Sequence, residues 1–251
     1  MEKIKKGDLI LLISKEKRIL TRAGAVLTNE LGKIETEKII GKSFGEIIKS
    51  SKGHAFFVVQ PNLPDMLEHA ARGPQVVCLK DAAALAGAVG LRPGWNVLDA
   101  GAGSGFLAMY LANAASPGKV ISYEKRKEFY EIAKKNANKF SINNLEIKNE
   151  DIFAAKERDL DLITLDFEDS PKFVKYAYEM LKPGGWLAIY SLHIERIQAA
   201  FAEMKKSGFS EIRVFETLQR DWQIEGEKKT FTRPKTQMLG HTGWWIIGRK
   251  T

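Results

Sequence analysis

The chain has 251 residues, of which 44% are hydrophobic and 28% are charged, a composition typical of a globular protein with a full core. No apolar stretch approaches the roughly 18 residues that cross a bilayer, and the amino terminus lacks the apolar segment of a signal peptide, so we expect no membrane span and a cytoplasmic protein. The single cysteine, Cys78, excludes an intrachain disulfide and fits a reducing compartment.

The net charge of +8 is concentrated in the two flanks of the sequence. Residues 1–60 hold 12 Lys and Arg against 7 Asp and Glu, and residues 213–251 hold 8 against 4, whereas residues 61–212 hold 19 against 20. Basic flanks of this kind would attract a polyanion such as nucleic acid. The alternatives are charge that only maintains solubility, or the Lys and Glu enrichment of thermophiles.

Residues 1–65 are predicted to form a small β-rich domain. Short β-like runs (DLILLIS, RILTRAG and KIETEKIIG) alternate there with glycine and charged turns, and no helical period persists. The segment QPNLPDMLEHAARGP, which contains three prolines, marks the change of domain.

Residues 66–251 are predicted to form an α/β domain, because strand and helix patterns alternate along them. Such alternation implies a mostly parallel sheet with helices on both faces. The predicted strands are NVLDA, KVISYE, LEIKNE, LITLD and WLAIYS, and the predicted helices are FLAMYLANAA, EFYEIAKKNANKF and KFVKYAYEMLK. The last 40 residues return to β-like runs, EIRVFETL and WWIIGRK, joined by a polar, basic connection.

A glycine-rich loop follows the first of these strands. Glycines at the strand end permit a tight turn and a close approach of the backbone to a ligand. Phe106 stands where a dinucleotide-binding fingerprint usually has its third glycine, which favours S-adenosylmethionine over NAD. The predicted cofactor-binding residues of this segment are Asp99, Gly101, Gly103, Ser104, Gly105, Phe106 and Leu107.

Acidic residues also end the next three predicted strands. Glu124 is placed to accept hydrogen bonds from both ribose hydroxyls of a cofactor. Asp151 can accept from the adenine amino group while Ile152 packs on the ring, and Asp166 ends the fourth strand beside the ligand. For any one of these acids a helix cap or a solvated loop is an equal alternative, but four successive strands that end in acids favour a ligand site.

Several segments together resemble the tRNA adenine-N1 methyltransferase family, particularly its archaeal members. They are FGEIIKSSKGHAF, ARGPQVVCLKDAA, LDAGAGSGFLA and RPKTQMLGHTGWWIIGRK. The resemblance implies a class I, Rossmann-like methyltransferase domain after a small β domain, S-adenosylmethionine as methyl donor, and a homotetramer. It also implies tRNA as partner, with methylation at N1 of T-loop adenosine 58 and, in archaeal members, 57.

The same resemblance gives Asp166 a role, because the acid that ends the fourth strand is catalytic in that family. Two segments depart from the family pattern. Asp166-Phe167-Glu168 stands where the family usually has Asp-Leu-Pro, and the run from Cys78 to Asp81 stands where it has Tyr or His followed by Pro-Lys-Asp. Both departures lie near the expected substrate pocket.

Methyl transfer to adenine N1 moves positive charge onto the base, so a fixed carboxylate beside the amino group, here Asp166, would stabilise the transition state. A T-loop adenosine must also leave its tertiary structure and enter an apolar slot. Phe167, Tyr190 and Trp244 are the predicted slot residues. Gln75 is predicted to reach the cofactor from a Gly-Pro-Gln turn, with a plain boundary turn as the alternative.

Arg72, Cys78 and His241 complete the predicted substrate-binding set; for His241 simple turn chemistry is an equal alternative. Glu168 and Asp169 are interpreted as loop residues that cap the next helix. No metal site is predicted, because the histidines have no ligand spacing and this transfer needs no ion.

Two other functions remain open from the sequence. One is a class I methyltransferase that acts on a protein or a small molecule, with basic flanks unrelated to RNA. The other is a non-catalytic RNA-binding subunit on the same fold. The tail segment argues against the first, and the intact glycine loop with its four acids argues against the second.

Overall fold

The computed structural model describes residues 3–73, 76–225 and 231–251. The chain divides into two compact units, the first ending at Ala70 and the second running from Ala71 to Thr251. The predicted boundary between residues 65 and 66 falls inside a short helix, Leu63–Glu68, which belongs to the first unit. Asn62 and Asp65 form a reciprocal capping box at its start, so this proline-bearing segment is helical rather than a linker.

The first unit is β-rich. Its described strands are β1 (Leu9–Ile13), β2 (Arg18–Arg22), β3 (Val26–Asn29), β4 (Gly32–Glu35), β5 (Ile47–Lys49) and β6 (Ala55–Val59), and α1 is Leu63–Glu68. An antiparallel sheet has the order β2-β1-β6-β5, and β3 pairs with β4 in a separate hairpin. The sheet encloses a small core that includes Ile10, Leu12, Phe56 and Val58. The third β-like run of the sequence differs from expectation, because β4 passes directly into a 3-10 helix over Thr36–Ile39.

The second unit contains the alternating elements. Its helices are α2 (Leu79–Val89), α3 (Phe106–Ala115), α4 (Lys127–Phe140), α5 (Ser170–Met180) and α6 (Ile194–Ser207). Its strands are β7 (Val97–Ala100), β8 (Val120–Tyr123), β9 (Leu145–Lys148), β10 (Leu160–Leu165), β11 (Leu181–Ser191), β12 (Phe209–Glu216), β13 (Trp222–Glu225), β14 (Phe231–Pro234) and β15 (Trp244–Lys250).

Seven of these strands form one sheet in the order β12-β15-β11-β10-β7-β8-β9, within the described part of the chain. The strands from β7 to β11 run parallel, and β15 is antiparallel to both of its neighbours. This order is the doubly wound order 3-2-1-4-5-6 with one antiparallel strand inserted before the last. The predicted α/β class with a mostly parallel sheet is confirmed.

Both faces of the sheet are covered because successive side chains of a strand point to opposite faces. In β10, Leu162 packs against α2 and α3, whereas Ile163 and Leu165 pack against α5 and α6. In β15, Trp245 and Ile246 divide in the same way. Every residue of β10 is buried, which explains why four of its six residues are large and apolar, on both faces of the strand.

Two segments differ from the sequence-based expectation. The helix predicted to reach residue 182 ends at Met180, and β11 begins at Leu181 and runs through Pro183 and two glycines. Its register against β10 shifts between Leu160 and Leu162, which accommodates the extra residues. The predicted polar connection in the tail contains the hairpin formed by β13 and β14.

Candidate active site

A cavity of about 430 Å³ lies at the carboxyl ends of the parallel strands. This is the edge at which open α/β sheets bind ligands, and the volume is that of a small-molecule site. Residues after five strands line it: Ala100, Gly101, Tyr123, Glu124, Lys125, Arg126, Glu150, Asp151, Ile152, Phe153, Asp166, Phe167, Glu168, Asp169 and Arg196. A second, much smaller cavity is lined by Val76, Val77, Gly101, Ala102, Gly103, Ser104, Phe106, Leu107 and Asp166. Gly101 and Asp166 therefore border both cavities.

The glycine loop is folded directly against the end of β10. Gly101, Gly103 and Gly105 all have positive φ angles, of 85°, 53° and 81°. A Cβ atom on Gly101 would lie 2.1 Å from the backbone oxygen of Asp166, so no larger residue fits there without moving that segment. Gly101 also donates its backbone N–H to the carbonyl of Tyr123 at 3.0 Å. The absence of a side chain on Gly101 thus lets the loop pack directly on the segment that carries Asp166, and its backbone borders both cavities.

Glu124 is buried, and its carboxylate accepts hydrogen bonds from the glycine loop and from Arg126. Its Oε2 accepts from the backbone N–H of Gly103 at 2.9 Å, and its Oε1 accepts from the backbone N and Nε of Arg126 at 3.0 and 3.1 Å. A carboxylate offers about four acceptor positions, so one remains open, on Oε2. Hydrogen bonds to both ribose hydroxyls, as predicted, would therefore require the Arg126 guanidinium to move.

Asp151 and Ile152 lie on the far side of the large cavity, after β9. Ile152 is buried, and Asp151 is exposed, with its Oδ1 accepting from the backbone N–H of Phe153 at 3.0 Å. Phe153 is partly exposed and packs edge-on against Phe173 with ring centroids 5.3 Å apart. The adenine pocket predicted from the sequence thus has an acid, an aliphatic and an aromatic side chain at one wall.

Asp166 is half-buried, and no described residue donates a hydrogen bond to its carboxylate. The pKa of Asp166 is raised to about 7, chiefly by burial and also by the nearby Asp99 and Glu124 carboxylates, while Arg196 and Arg126 oppose the shift. A carboxylate with unused acceptor positions is available to a donor that enters the cavity. Asp166 therefore has the geometry expected of a group that contacts a substrate amino group.

The raised pKa of Asp166 predicts a measurable effect on stability. Between about pH 4 and pH 7 the folded state holds a proton that the unfolded state has released, so the free energy of unfolding falls as the pH rises through this window. Asp166→Asn removes this ionisation and should raise the melting temperature at pH 8 while changing little below pH 4. Glu168→Gln, at an exposed neighbour, is the matched control. Melting curves with the same pH dependence for wild type and Asp166→Asn would contradict the shift.

Asp99, which was predicted to bind the cofactor, lines neither described cavity. Its Oδ2 accepts from the Ser122 hydroxyl and its Oδ1 from the Thr164 hydroxyl, both at 2.6 Å, and these residues lie beside it on β8 and β10. The strand β7 continues past Asp99 to Ala100. The Asp99 side chain therefore lies within the sheet and not beyond the strand end. Burial raises the pKa of Asp99 to about 6, and the two hydroxyls limit the shift. Asp99 therefore joins three strands beneath the loop.

The segment from Ala71 is fixed beside the glycine loop. Asn136 on α4 exchanges two hydrogen bonds with the backbone of Ala71 and donates a third to the carbonyl of Ser104. The Ser104 hydroxyl accepts from the backbone N–H of Gly73, and the Arg72 guanidinium lies 5.5 Å from the centroid of the Phe106 ring. Arg72 thus lies near the small cavity, whereas Gln75, also predicted here, is outside the described residues.

The remaining predicted site residues of the glycine segment divide in two. Ser104, Phe106 and Leu107 line the small cavity, while Gly105 serves as the left-handed residue before α3 and lines neither cavity. Cys78 is half-buried at the start of α2, next to the cavity-lining pair Val76 and Val77, and burial raises the pKa of its thiol.

Of the three predicted slot residues, only Phe167 lines the large cavity. Tyr190 is buried on the sheet face that carries α2 and α3, where its hydroxyl donates to the carbonyl of Thr242 at 2.7 Å and its ring packs on Trp245. Trp244 packs on the opposite face, and neither residue lines a described cavity. The structure thus does not bring the three rings together, because the strand register places Tyr190 and Trp244 on different faces of the sheet.

His241 also lies away from both cavities. Its ring packs on Trp244 with centroids 4.1 Å apart, and its Nδ1 lies 3.3 Å from a carboxylate oxygen of Glu216.

Asp169 occupies the position before α5, but its carboxylate makes no cap hydrogen bond and instead pairs with Lys172 at 2.8 Å. Asp169 therefore stands at the N-cap position as predicted, but its side chain does not cap the helix.

Several residues that line the large cavity were absent from the predicted set, and three of them contribute a charge or a ring to its wall. Arg126 binds Glu124 and lies over the Phe129 ring at 4.1 Å, Phe153 forms part of the wall after β9, and Arg196 enters from the first turn of α6. The position of Arg196, five residues after the end of β11, is the signal that could have found it, because segments after parallel strands face the same crevice.

In the described ranges no three His, Cys, Asp or Glu side chains cluster as a metal site, and no helix is long and apolar enough to span a bilayer.

Comparison with known proteins accounts for this arrangement. The family model of the tRNA methyltransferase complex GCD14 subunit matches residues 57–232. The chain is 33% identical, over 82% of its length and 82% of the relative's, to a tRNA (adenine(57)-N(1)/adenine(58)-N(1))-methyltransferase TrmI of Methanocaldococcus jannaschii. It is 28% identical, over 99% of its length and 95% of the relative's, to the tRNA (adenine(58)-N(1))-methyltransferase TrmI of Thermus thermophilus.

Two solved structures are similar over almost the whole chain. The TM-score is 0.83, at 31% identity, to a SAM-dependent O-methyltransferase of Thermotoga maritima, with 99% of this chain and 94% of that chain covered. It is 0.78, at 25% identity, to the tRNA (m1A58) methyltransferase TrmI of Aquifex aeolicus, with 100% and 99% covered. The second unit thus has the class I methyltransferase fold predicted from the sequence. The chain belongs to the family of the tRNA methyltransferase complex GCD14 subunit.

Proposed function

We propose that this chain is a tRNA (adenine-N1)-methyltransferase that transfers the methyl group of S-adenosylmethionine to N1 of T-loop adenosine 58, and also of adenosine 57. The observation that carries the proposal is Asp166, a carboxylate with open acceptor positions on the border of two cavities. The names of the archaeal and bacterial TrmI relatives support the same substrate.

The residues at the strand ends fit S-adenosylmethionine. Gly101 borders both cavities, and Gly103 borders the smaller one, so the backbone of the glycine loop is accessible to a ligand there. Glu124 has an open acceptor position for a ribose hydroxyl, and Asp151 and Ile152 suit the adenine ring. When bound, this cofactor supplies an electrophilic methyl group on a positively charged sulfur.

Asp166 would act on the other reactant, the target adenine. Its carboxylate accepts a hydrogen bond from N6, which orients N1, and its negative charge stabilises the positive charge that the ring gains as N1 is methylated. A pKa of about 7 leaves a large fraction of Asp166 ionised at neutral pH, as this role requires. Phe167 borders the same cavity and offers an apolar surface to the base.

The tail hairpin supports the proposed homotetramer. Trp222 and Ile224 lie on one face of this hairpin and are 59% and 72% exposed, and in the described ranges β13 and β14 pair only with each other. A two-stranded hairpin with an exposed apolar face is marginally stable alone, so a subunit contact there is expected. Light scattering should give the mass of four chains, and a monomer at micromolar concentration would contradict the proposal.

A location in the reducing cytoplasm is also part of the proposal, and the single half-buried thiol of Cys78 fits it.

A different methyl acceptor is the main alternative, and the O-methyltransferase name of the Thermotoga maritima protein favours testing it. The test gives purified protein S-adenosylmethionine and unmodified tRNA transcript, and nucleoside mass spectrometry measures 1-methyladenosine. Transcripts with guanosine at position 57, at position 58 or at both serve as matched substrates.

We expect 1-methyladenosine in the unaltered transcript, loss of most product when position 58 is replaced, and complete loss in the double replacement. Undiminished product from the double replacement would place the methyl group elsewhere in the tRNA. An absence of product from the unaltered transcript, with S-adenosylmethionine still bound, would contradict the proposed substrate. Retention of tRNA without any methyl transfer would instead favour a non-catalytic RNA-binding subunit.

A further inference from the structure

Arg196 is a half-buried cation in the large cavity, and no described residue pairs with it. It lies in the first turn of α6, directly after the fifth parallel strand β11. Within the described ranges its guanidinium makes no hydrogen bond, ion pair or contact with an aromatic ring. Its charge acts on the Asp166 and Asp169 carboxylates only at a distance, and Asp169 is already paired with Lys172.

The other two cations of the cavity are placed differently. Arg126 is held by Glu124 and by the face of the Phe129 ring. Lys125 is exposed, and its backbone carbonyl accepts from Asn149. A partly desolvated guanidinium that lacks an anion is energetically unfavourable, and a cation in the first turn of a helix also faces the positive end of the helix dipole. Arg196 is therefore the cavity cation that most needs an anionic ligand.

The sheet order separates Arg196 from the predicted nucleoside end of the cofactor. Asp151 and Ile152 follow β9, whereas Arg196 follows β11, and the order β9-β8-β7-β10-β11 places four strand spacings between them. At about 4.8 Å per spacing this amounts to about 19 Å. Asp166, after β10, lies between the two ends. Arg196 is thus on the side from which the methyl acceptor would approach.

An extruded nucleotide brings its own phosphates to the rim of the pocket that receives its base. Guanidinium binds phosphate through two parallel hydrogen bonds, which fixes orientation as well as position. We propose that Arg196 binds a backbone phosphate adjacent to the target adenosine and so orients the base toward Asp166. This inference rests on the proposed function, because it takes tRNA as the substrate.

The test uses Arg196→Met, Arg196→Lys and the matched control Lys206→Met, which removes one charge from the far end of the same helix, where Lys206 is exposed. With unmodified tRNA transcript, we expect kcat/KM for Arg196→Met to fall about 10- to 100-fold, the range for a lost charge-assisted hydrogen bond. The dissociation constant for S-adenosylmethionine should stay unchanged. Arg196→Lys should recover part of the loss, and Lys206→Met should behave like wild type.

A second measurement identifies the phosphate itself. Ligated tRNAs carry a neutral methylphosphonate at one of the two linkages flanking adenosine 58. For wild type, one of the two replacements should lower kcat/KM by the same factor as Arg196→Met. For Arg196→Met, the same replacement should have almost no further effect, because both changes remove one interaction.

Three outcomes would overturn the inference while leaving the proposed function intact, provided that wild type methylates the transcript. One is a kcat/KM for Arg196→Met close to that of wild type. Another is weaker binding of S-adenosylmethionine by the same factor, which would make Arg196 a cofactor ligand. The third is a pH–rate profile shifted to higher pH with unchanged tRNA binding, which would limit Arg196 to holding Asp166 ionised. Failure of wild type to methylate tRNA would instead reject the proposed function.

Discussion

Gly101→Ala is expected to lower methyltransferase activity about 100-fold or more, since a displacement of about 1 Å at a reacting group can have that effect. The new Cβ atom would lie 2.1 Å from the backbone oxygen of Asp166 and 2.7 Å from its carbonyl carbon, and the backbone φ of 85° is itself unfavourable for alanine. The segment that carries Asp166 must therefore move. The measurements are single-turnover methylation and binding of S-adenosylmethionine.

Gly90→Ala is the matched control for Gly101→Ala. Gly90 also has a positive φ, of 67°, but a Cβ atom added there, at the end of α2, would have no neighbouring atom within 4 Å. Gly90→Ala should lower stability by about 1 kcal/mol while leaving turnover unchanged. Equal activity of Gly101→Ala and Gly90→Ala would show that the close approach at Asp166 does not matter.

Asp81→Ala is expected to destabilise the protein by about 3–5 kcal/mol, the range for leaving one member of a buried ion pair without its partner. Asp81 is fully buried, and its Oδ1 accepts from the Lys80 ammonium at 2.7 Å. The same ammonium donates to the Thr217 carbonyl and to the Thr242 hydroxyl, so the pair joins the start of α2 to the tail. Urea denaturation measures the change.

Two further variants test this explanation of Asp81. Lys80→Met combined with Asp81→Leu should be much less destabilising than Asp81→Ala alone, because no buried charge is left unpaired. Glu146→Ala, which removes a partner of Lys119 at the surface of the same unit, should cost about 1 kcal/mol or less. A loss for Asp81→Ala as small as that for Glu146→Ala would contradict the role of the buried pair.

The sequence predicted the cavity because acids and glycines followed successive strands. The carboxyl ends of parallel strands meet at one edge of a sheet, so Gly101, Glu124, Asp151 and Asp166 line cavities there as spacing alone suggested. The exception is Asp99. The strand β7 ends at Ala100, as the predicted strand NVLDA does, and alternation along it turns the Asp99 carboxylate toward Ser122 and Thr164.

The substrate side was less predictable, because it depends on strand register. Tyr190 and Trp244 belong to two antiparallel strands that are distant in sequence, and the register that pairs Trp244 with Ser191 places the two rings on opposite faces. Arg196 gave only a positional signal, five residues after the end of β11, and a single arginine on an amphipathic helix is most often solvated. Its importance becomes visible only when β11 is placed next to β10.

The departures from the family pattern acquire different meanings in the structure. Lys80 and Asp81, which keep the family residues, form a buried structural pair rather than contacts within the cavity. Cys78 precedes that pair at the start of α2 and lines neither cavity. Phe167 and Glu168 line the large cavity directly after Asp166, so of the two departures this one is placed to affect the target base.

The most direct test of the account compares wild type, Asp166→Ala, Asp166→Asn and the control Glu179→Gln, at an exposed position of α5 outside both cavities, in single-turnover methylation of unmodified tRNA transcript. The account predicts a fall of about 10²- to 10⁴-fold for both Asp166 variants with S-adenosylmethionine binding retained, and a near-normal rate for Glu179→Gln. It also predicts a wild-type rate that rises with pH through about 7, as Asp166 ionises, and no such rise in Asp166→Asn. An Asp166→Ala rate within about threefold of wild type, with the same pH profile, would contradict the central role of this carboxylate.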